Sequence, residues 1–247
     1  MAHVVWDKTG EHYYETGIDH GVLYHWVDAD ESAGTAAGYN VGYAWNGLTS
    51  VSESPSGAEE TKLFADNIKY LSLRSAEEFG ATIEAYTYPD EFGVCDGTDS
   101  LYTGIQVGQQ GRKMFGLCYR TIIGNDIDGD NHGYKLHLIY GCTASPSEKG
   151  YQTVNDSPEA VTFSWEMTTV PVEIKSENDT PLTYKATSVV TIDSTKLTSE
   201  ADKAKLAALE KILYGTDANP SAEPPIADVA PRLPLPGEIY DMFNPAG

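Results

Sequence analysis

The segment VTFSWEMTTV (161–170) decides the fold class, because apolar and polar residues alternate along it. The apolar set is Val161, Phe163, Trp165 and Met167, and the polar set is Thr162, Ser164, Glu166 and Thr168. Successive side chains of a strand point to opposite faces of its sheet. The alternation therefore predicts a strand with one buried face and one solvated face.

The same two-residue period recurs along the chain. It occurs in FGATIEAYTY (79–88), MFGLCYRTII (114–123) and KLHLIYG (135–141), and further strands are expected at 41–53, 68–74 and 183–193. One segment has helical spacing instead, since Leu206, Leu209 and Leu213 fall on one face. Ser199 is a suitable N-cap, and Gly215 suits the exit. The sequence therefore predicts a mainly β domain flanked by a C-terminal helix at about 199–214.

Two stretches are typical of connections. The segment SESPSGAEETKLFADN (52–67) is too long for a simple hairpin turn, which predicts a projecting loop with a role of its own. After Gly215 the chain is rich in proline and is expected to be extended. Its end carries apolar residues that predict docking on another surface: Leu233, Leu235, Ile239, Met242 and Phe243.

The charge of the chain excludes some classes of function. Asp and Glu number 37 against 16 Lys and Arg, which gives a net charge of −21. A groove that grips nucleic acid needs a basic patch, so this class is disfavoured. No apolar run approaches the ~18 residues of a membrane helix, so no membrane insertion is expected.

The three cysteines, Cys95, Cys118 and Cys142, form no CxxC pattern and are expected to be free thiols.

One segment superficially resembles a calcium loop. In NDIDGDNHG (125–133), an EF-hand counted from Asp126 would need Gly and Glu at its sixth and twelfth positions, where Asn131 and His137 stand. The pair Asp128–Gly129 lies between two alternating runs and predicts a hairpin turn, with an adventitious cation site as the alternative. No motif indicates catalysis, so we expect no enzyme activity, no metal and no cofactor.

Long strings of the sequence resemble the major tail tube proteins of long-tailed, non-contractile bacteriophages. They are AWNGLTSVSESPSGAEETKLFADNIKYLSL (44–73), SAEEFGATIEAYTYPDEFGVCDG (75–97), IIGNDIDGDNHGYKLHLIYGCTASPSEKGYQTVNDSPEAVTFSWEMTT (122–169) and KLAALEKILYGTD (205–217). The resemblance implies a β-sandwich or half-barrel with a flanking α-helix. It also implies hexameric rings, in which inner strands join those of neighbours into a continuous barrel, and a tube of stacked rings.

The resemblance also implies partners and a location. The tape measure protein would fill the lumen before double-stranded DNA passes through it without specific binding. Tail terminator and distal tail proteins would meet the ends of the tube. The protein would be assembled in the host cytoplasm and reside in the virion tail.

The resemblance divides the chain into a tail tube domain at 1–217, with an N-terminal arm at about 1–40, and a Pro-rich tail at 218–247. The family's inter-ring loop maps onto 54–66, with an ordinary acidic surface loop as the alternative. Its candidate contact residues are Ser54, Pro55, Glu59, Glu60, Leu63, Phe64 and Asp66, of which Leu63 and Phe64 are the expected apolar anchors.

For the lumen wall, the expectation falls on the polar face of 161–170, and the outside of the tube is the alternative. The candidates are Thr162, Ser164, Glu166 and Thr168, with Glu84 as a further one. Carboxylates on a narrow wall repel phosphate over distances near the ~10 Å Debye length, so DNA would slide. Arg120 is expected to offset acids at a subunit contact.

The alternative function is a β-sandwich module that binds carbohydrate or a cell surface through exposed Tyr and Trp. A hydrolase with paired acids is a third hypothesis.

Overall fold

The fold is mainly β, as predicted, with 47% of residues in strands and 15% helical. A computed structural model describes residues 3–29, 36–153, 156, 160–176, 182–219 and 227–244. The strands are β1 (Tyr14–Val27), β2 (Gly38–Ala44), β3 (Leu48–Glu53), β4 (Ser56–Gly57), β5 (Glu60–Ala65), β6 (Ile68–Arg74), β7 (Glu77–Glu78), β8 (Gly80–Ala85), β9 (Asp99–Tyr102), β10 (Ile105–Val107), β11 (Phe115–Asn125), β12 (Gly129–Ala144), β13 (Phe163–Thr169) and β14 (Val189–Asp193). The helices are α1 (Gly93–Asp96), α2 (Glu200–Tyr214) and α3 (Pro236–Phe243).

Eight strands form one antiparallel sheet in the order β2-β1-β11-β12-β13-β8-β3, with β14 also beside β12. Strand β12 changes partner along its length: 135–139 pair with β14, and 142–144 pair with β13. Gly141 lies at the change with a φ of 64°, and a Cβ there would come within 2.1 Å of the Val170 carbonyl oxygen. Only glycine fits this position, so the bulge at Gly141 fixes where the sheet divides.

Each face of the sheet carries an apolar core. The inner core lies where the sheet curls around Trp45, Phe92, Phe115, Trp165 and Met167, all buried. The turn after β2 stays beside β1, its neighbour in the sheet, because the Trp45 amide donates to the Gly21 carbonyl at 2.8 Å. Residues of β1, β8, β11, β12 and β13 therefore enclose this core from several sides.

The outer core is covered by the C-terminal helices. Leu206, Leu209 and Leu213 of α2 pack in the same cluster as Leu138 and Tyr140 of β12. The predicted helix is confirmed, including its cap, since the Ser199 side chain accepts a hydrogen bond from the Asp202 amide at 3.0 Å. The three cysteines are free and buried, as expected.

The N-terminal and C-terminal predictions need correction. Residues 14–27 were assigned to an N-terminal arm, but they form β1, which lies inside the sheet between β2 and β11. The C-terminal tail is not extended throughout, because α3 forms near its end. Its docking is confirmed for Leu233 and Ile239, which are buried in the outer core, and for Met242 and Phe243, which pack against it, whereas Leu235 is exposed. The parts of these two predictions at 1–2, 30–35, 220–226 and 245–247 lie outside the described residues.

Two predicted strands have different limits in the structure. The segment 41–53 is divided by a turn around Trp45–Gly47, because the chain reverses there between β2 and β3. Within 183–193, the strand begins only at Val189. The hairpin turn predicted at Asp128–Gly129 is confirmed: it joins β11 to β12, with Gly129 at a φ of 57°.

Candidate assembly surfaces

The predicted projecting loop is one side of a two-stranded ribbon at 54–79. It leaves the sheet where the Ser54 amide donates to the Gly80 carbonyl at 2.8 Å. The short pair β4–β7 and the longer pair β5–β6 then continue it outward. Its tip is Asp66–Asn67, with φ values of 50° and 62°, the left-handed geometry of a tight hairpin turn. The expectation of a loop at 54–66 is therefore corrected to the first half of a hairpin.

The ribbon has one apolar face and one charged face near its middle. Leu63 stands opposite Leu71, and Thr61 stands opposite Leu73, so these side chains share a face. The leucines remain 41%, 38% and 52% exposed in the order Leu63, Leu71 and Leu73. An isolated two-stranded hairpin is marginally stable in water and is normally supported by packing on one face. Among the described residues, β5 and β6 make no extensive contact with any element other than each other.

Of the remaining candidates, Ser54, Pro55 and Glu59 lie toward the base, Glu60 lies on the other face, and Phe64 and Asp66 lie near the tip. Glu60 lies opposite Arg74, and it pairs with Lys69 at 2.6 Å. The hydrogen bond from Lys69 lowers the pKa of Glu60. Phe64 lies near the tip and is exposed, as are Ile68 and Tyr70. The sequence prediction found Leu63 and Phe64 but not the apolar residues of β6, which were assigned only to a strand.

The base of the ribbon is held by a partly buried polar cluster. Glu53, the last residue of β3, accepts a hydrogen bond from the Tyr119 hydroxyl at 2.6 Å. His137 stacks on Tyr119 with ring centroids 4.6 Å apart, and its Nδ1 lies 3.3 Å from Glu53 Oε1. Contact with His137, together with the bond from Tyr119, lowers the pKa of Glu53. The ribbon therefore leaves the body from an anchored residue.

The predicted polar face is present on β13, β8 and β3. Ser164 stands opposite Glu84, which in turn stands opposite Ser50, and Ser50 Oγ donates to Glu84 at 2.9 Å. In the next row, Glu166 stands opposite Thr82. Thr168 follows on the same face, and Thr162 lies one residue before β13. Four of the five lumen candidates are thus brought together on a face whose reverse side is the inner core.

Several edges of the sheet are open. Among the strands that the structure describes, β3 pairs with β8 alone and β14 pairs with β12 alone. Unpaired edges present free amide and carbonyl groups that favour pairing with another chain. Arg120 forms a two-pronged hydrogen bond to Asp19 of its own chain, with both N···O distances at 2.7 Å, and its place at a subunit contact stays a prediction.

A second exposed hairpin was not predicted. Strands β9 and β10 form it, and its large apolar side chains Leu101, Tyr102 and Ile105 are 71%, 72% and 53% exposed. The signal in the sequence was weak, because DSLYTGIQV is short and its alternation is brief.

No helix within the described ranges is both long and apolar enough to cross a membrane.

The sequence was compared with models of known protein families and with curated proteins. No family model matches the chain, and no curated protein is detectably similar to it.

Proposed function

We propose that the chain is a structural subunit of a bacteriophage tail tube, in which hexameric rings stack around an acidic lumen. The observation that carries the proposal is the leucine face of the ribbon, which is exposed on a hairpin too thin to be stable by itself. A neighbouring copy would supply the missing packing. The resemblance of 44–73, which includes most of this ribbon, to tail tube proteins points the same way.

The open edges support the ring part of the proposal. Six subunits that join strands across β3 or β14 would satisfy edges that each subunit leaves unpaired. A sheet closed into a barrel has no edges left. The large antiparallel sheet and its flanking helix α2 are compatible with this arrangement, since α2 packs on one face of the sheet.

The polar face supports the conduit part. Its rows of Ser and Thr, with Glu84 and Glu166, offer hydroxyls and negative charge but no basic group among the facing residues on β3, β8 and β13. Such a wall would not release counterions from DNA and would not hold it. Double-stranded DNA would pass, and the tape measure protein would occupy the same space earlier.

Electron microscopy of the purified protein tests the proposal. We expect rings or tubes about 100 Å across, the size for six domains of this mass around a pore. A variant in which residues 60–74 are replaced by Asn-Gly keeps the closing contact between the Ser75 amide and the Glu59 carbonyl, which lie 3.3 Å apart. This variant should fold and form rings but not tubes. A protein that stays monomeric at all concentrations and binds glycans would instead favour the carbohydrate-binding alternative.

A further inference from the structure

The β9–β10 hairpin lies at the opposite end of the sheet from the ribbon. The ribbon joins the sheet at Glu53 and Gly80, the end of β3 and the start of β8. The other end of this strand pair is marked by Leu48 opposite Ala85. The chain leaves there after Ala85, forms α1 and the hairpin, and returns at Phe115.

Contacts of α1 fix the hairpin at this end. Phe92, just before α1, packs on Phe115, Trp165 and Trp45 at centroid distances of 5.5, 5.1 and 4.7 Å. The hairpin is then closed at its base, where the Gln110 amide donates to the Gly97 carbonyl at 2.9 Å. Leu101, Tyr102 and Ile105 are therefore presented on a supported base and not on a free loop.

Among the described residues, unpaired charges of opposite sign lie beside the two apolar surfaces. The root of the ribbon carries Glu59, Glu77 and Glu78, all exposed and in no ion pair with another described residue. The return from the β9–β10 hairpin carries Arg112 and Lys113, which are exposed and pair with no carboxylate among the described residues. Asp99 lies nearby, and its carboxylate accepts from the Ser100 amide within the same hairpin.

We propose that the leucine face of the ribbon in one copy packs on Leu101, Tyr102 and Ile105 of the β9–β10 hairpin in the next copy. This inference rests on the proposed function and names the surface that receives the ribbon. The two surfaces differ and lie at opposite ends of one sheet, so the contact is head-to-tail and repeats from copy to copy. Aromatic and aliphatic side chains with an ionic rim are the usual composition of such a contact.

Two single variants test the contact. Leu71→Asp places a charge on the leucine face, and Leu101→Asp places one on the receiving hairpin. Each side chain is exposed in the single copy, so circular dichroism and the thermal midpoint should match those of the wild type. Each variant should raise the critical concentration for tube elongation at least tenfold, since an apolar contact is lost. Tyr151→Asp changes an exposed residue elsewhere and should leave elongation unchanged.

Mixing the variants after separate assembly gives a sharper result. Rings of the Leu71→Asp variant keep an intact receiving hairpin, and rings of the Leu101→Asp variant keep an intact ribbon. The ribbons of a Leu101→Asp ring can then bind the hairpins of a Leu71→Asp ring, but no further ring can be added at either end. Stacks of two rings should therefore form and grow no further. Normal elongation by Leu101→Asp alone would overturn the receiving site while leaving the proposed function in place. A wild type that forms neither rings nor tubes would overturn both.

Discussion

The Tyr119 hydroxyl donates a hydrogen bond to the Glu53 carboxylate at 2.6 Å, across a sequence separation of 66 residues. Tyr119 belongs to β11 in the middle of the sheet and is buried, whereas Glu53 ends β3 at the base of the ribbon. The bond ties an edge strand to the centre of the sheet. Its loss is therefore expected to loosen the ribbon base.

Replacing Tyr119 by Phe removes this bond and leaves the ring in place. We expect the free energy of unfolding to fall by about 1.5–3 kcal/mol, the range for a hydrogen bond to a charged group. Urea unfolding measures the change. Tyr86→Phe is the matched control, because Tyr86 is exposed, and it should change stability by less than about 0.5 kcal/mol. Equal stabilities for the two variants would show that the Tyr119 bond contributes nothing.

Neighbouring residues of β13 should differ sharply in their contribution to stability. Trp165 is fully buried in the inner core, whereas Glu166 points to the solvated face. Trp165→Ala is expected to cost about 3–5 kcal/mol, because it leaves a cavity among packed aromatic rings. Glu166→Ala, one residue away, should stay within about 0.5 kcal/mol. Thermal or urea unfolding distinguishes them, and a large loss for Glu166→Ala would contradict the assignment of faces.

Gly141 should not tolerate a side chain. Its φ of 64° and the approach of the Val170 carbonyl leave no room for Cβ. Gly141→Ala is expected to destabilise the protein by at least about 2 kcal/mol, because the bulge must shift. Gly108→Ala is the control, since no atom lies within 4 Å of a Cβ at that position. A mild effect at Gly141, measured in the same unfolding assay, would mean that β12 changes partner without this glycine.

Asp19 should make stability fall in acid. The hydrogen bond from Arg120 lowers the pKa of Asp19 in the folded protein below its unfolded value of about 3.9. The carboxylate therefore stabilises the fold above pH 4, and this contribution is lost as the pH falls through the lower folded pKa. Asp19→Asn should flatten this part of the profile of unfolding free energy against pH. An unchanged acid slope would assign the acid sensitivity to other carboxylates.

The polar face should govern DNA passage if it lines the lumen. Glu84→Lys combined with Glu166→Lys places two cations on adjacent rows of this face. Tubes should still assemble, but DNA release should slow at low salt and recover as salt rises, because phosphate contacts release counterions. Glu200→Lys, exposed at the start of α2, is the control. Equal ejection kinetics for both variants would put the polar face on the outside.

The alternating strands could be predicted because one face of each is buried and the other is not. β13 follows this rule from Phe163 to Thr169, and its polar residues do share a face. The neighbour of Ser164 could not be predicted, since the pairing with Glu84 depends on strand register across 80 residues of chain. The role of that face as a lumen wall stays a prediction.

The missed elements have physical reasons. β1 lacks alternation because its run at 21–24 is buried on both faces, and because Gly17 and His20 adopt positive φ values that interrupt the period. α3 was missed because LPLPG is typical of extended chain, yet Pro236 fits the first turn of a helix, where its missing amide is not needed. The first strand of the ribbon is exposed throughout, so no burial pattern marks it.

The ladder between β8 and β13 has a mechanical consequence. A force pulling on the ribbon along β3 and β8 reaches the rest of the molecule through the ladder between β8 and β13, which pairs six residues of each strand from Gly80–Thr168 to Ala85–Phe163. Ladder bonds run perpendicular to their strands. Tension along the strands thus loads all of these bonds in shear at once, and the body resists stretching far better than it would resist peeling.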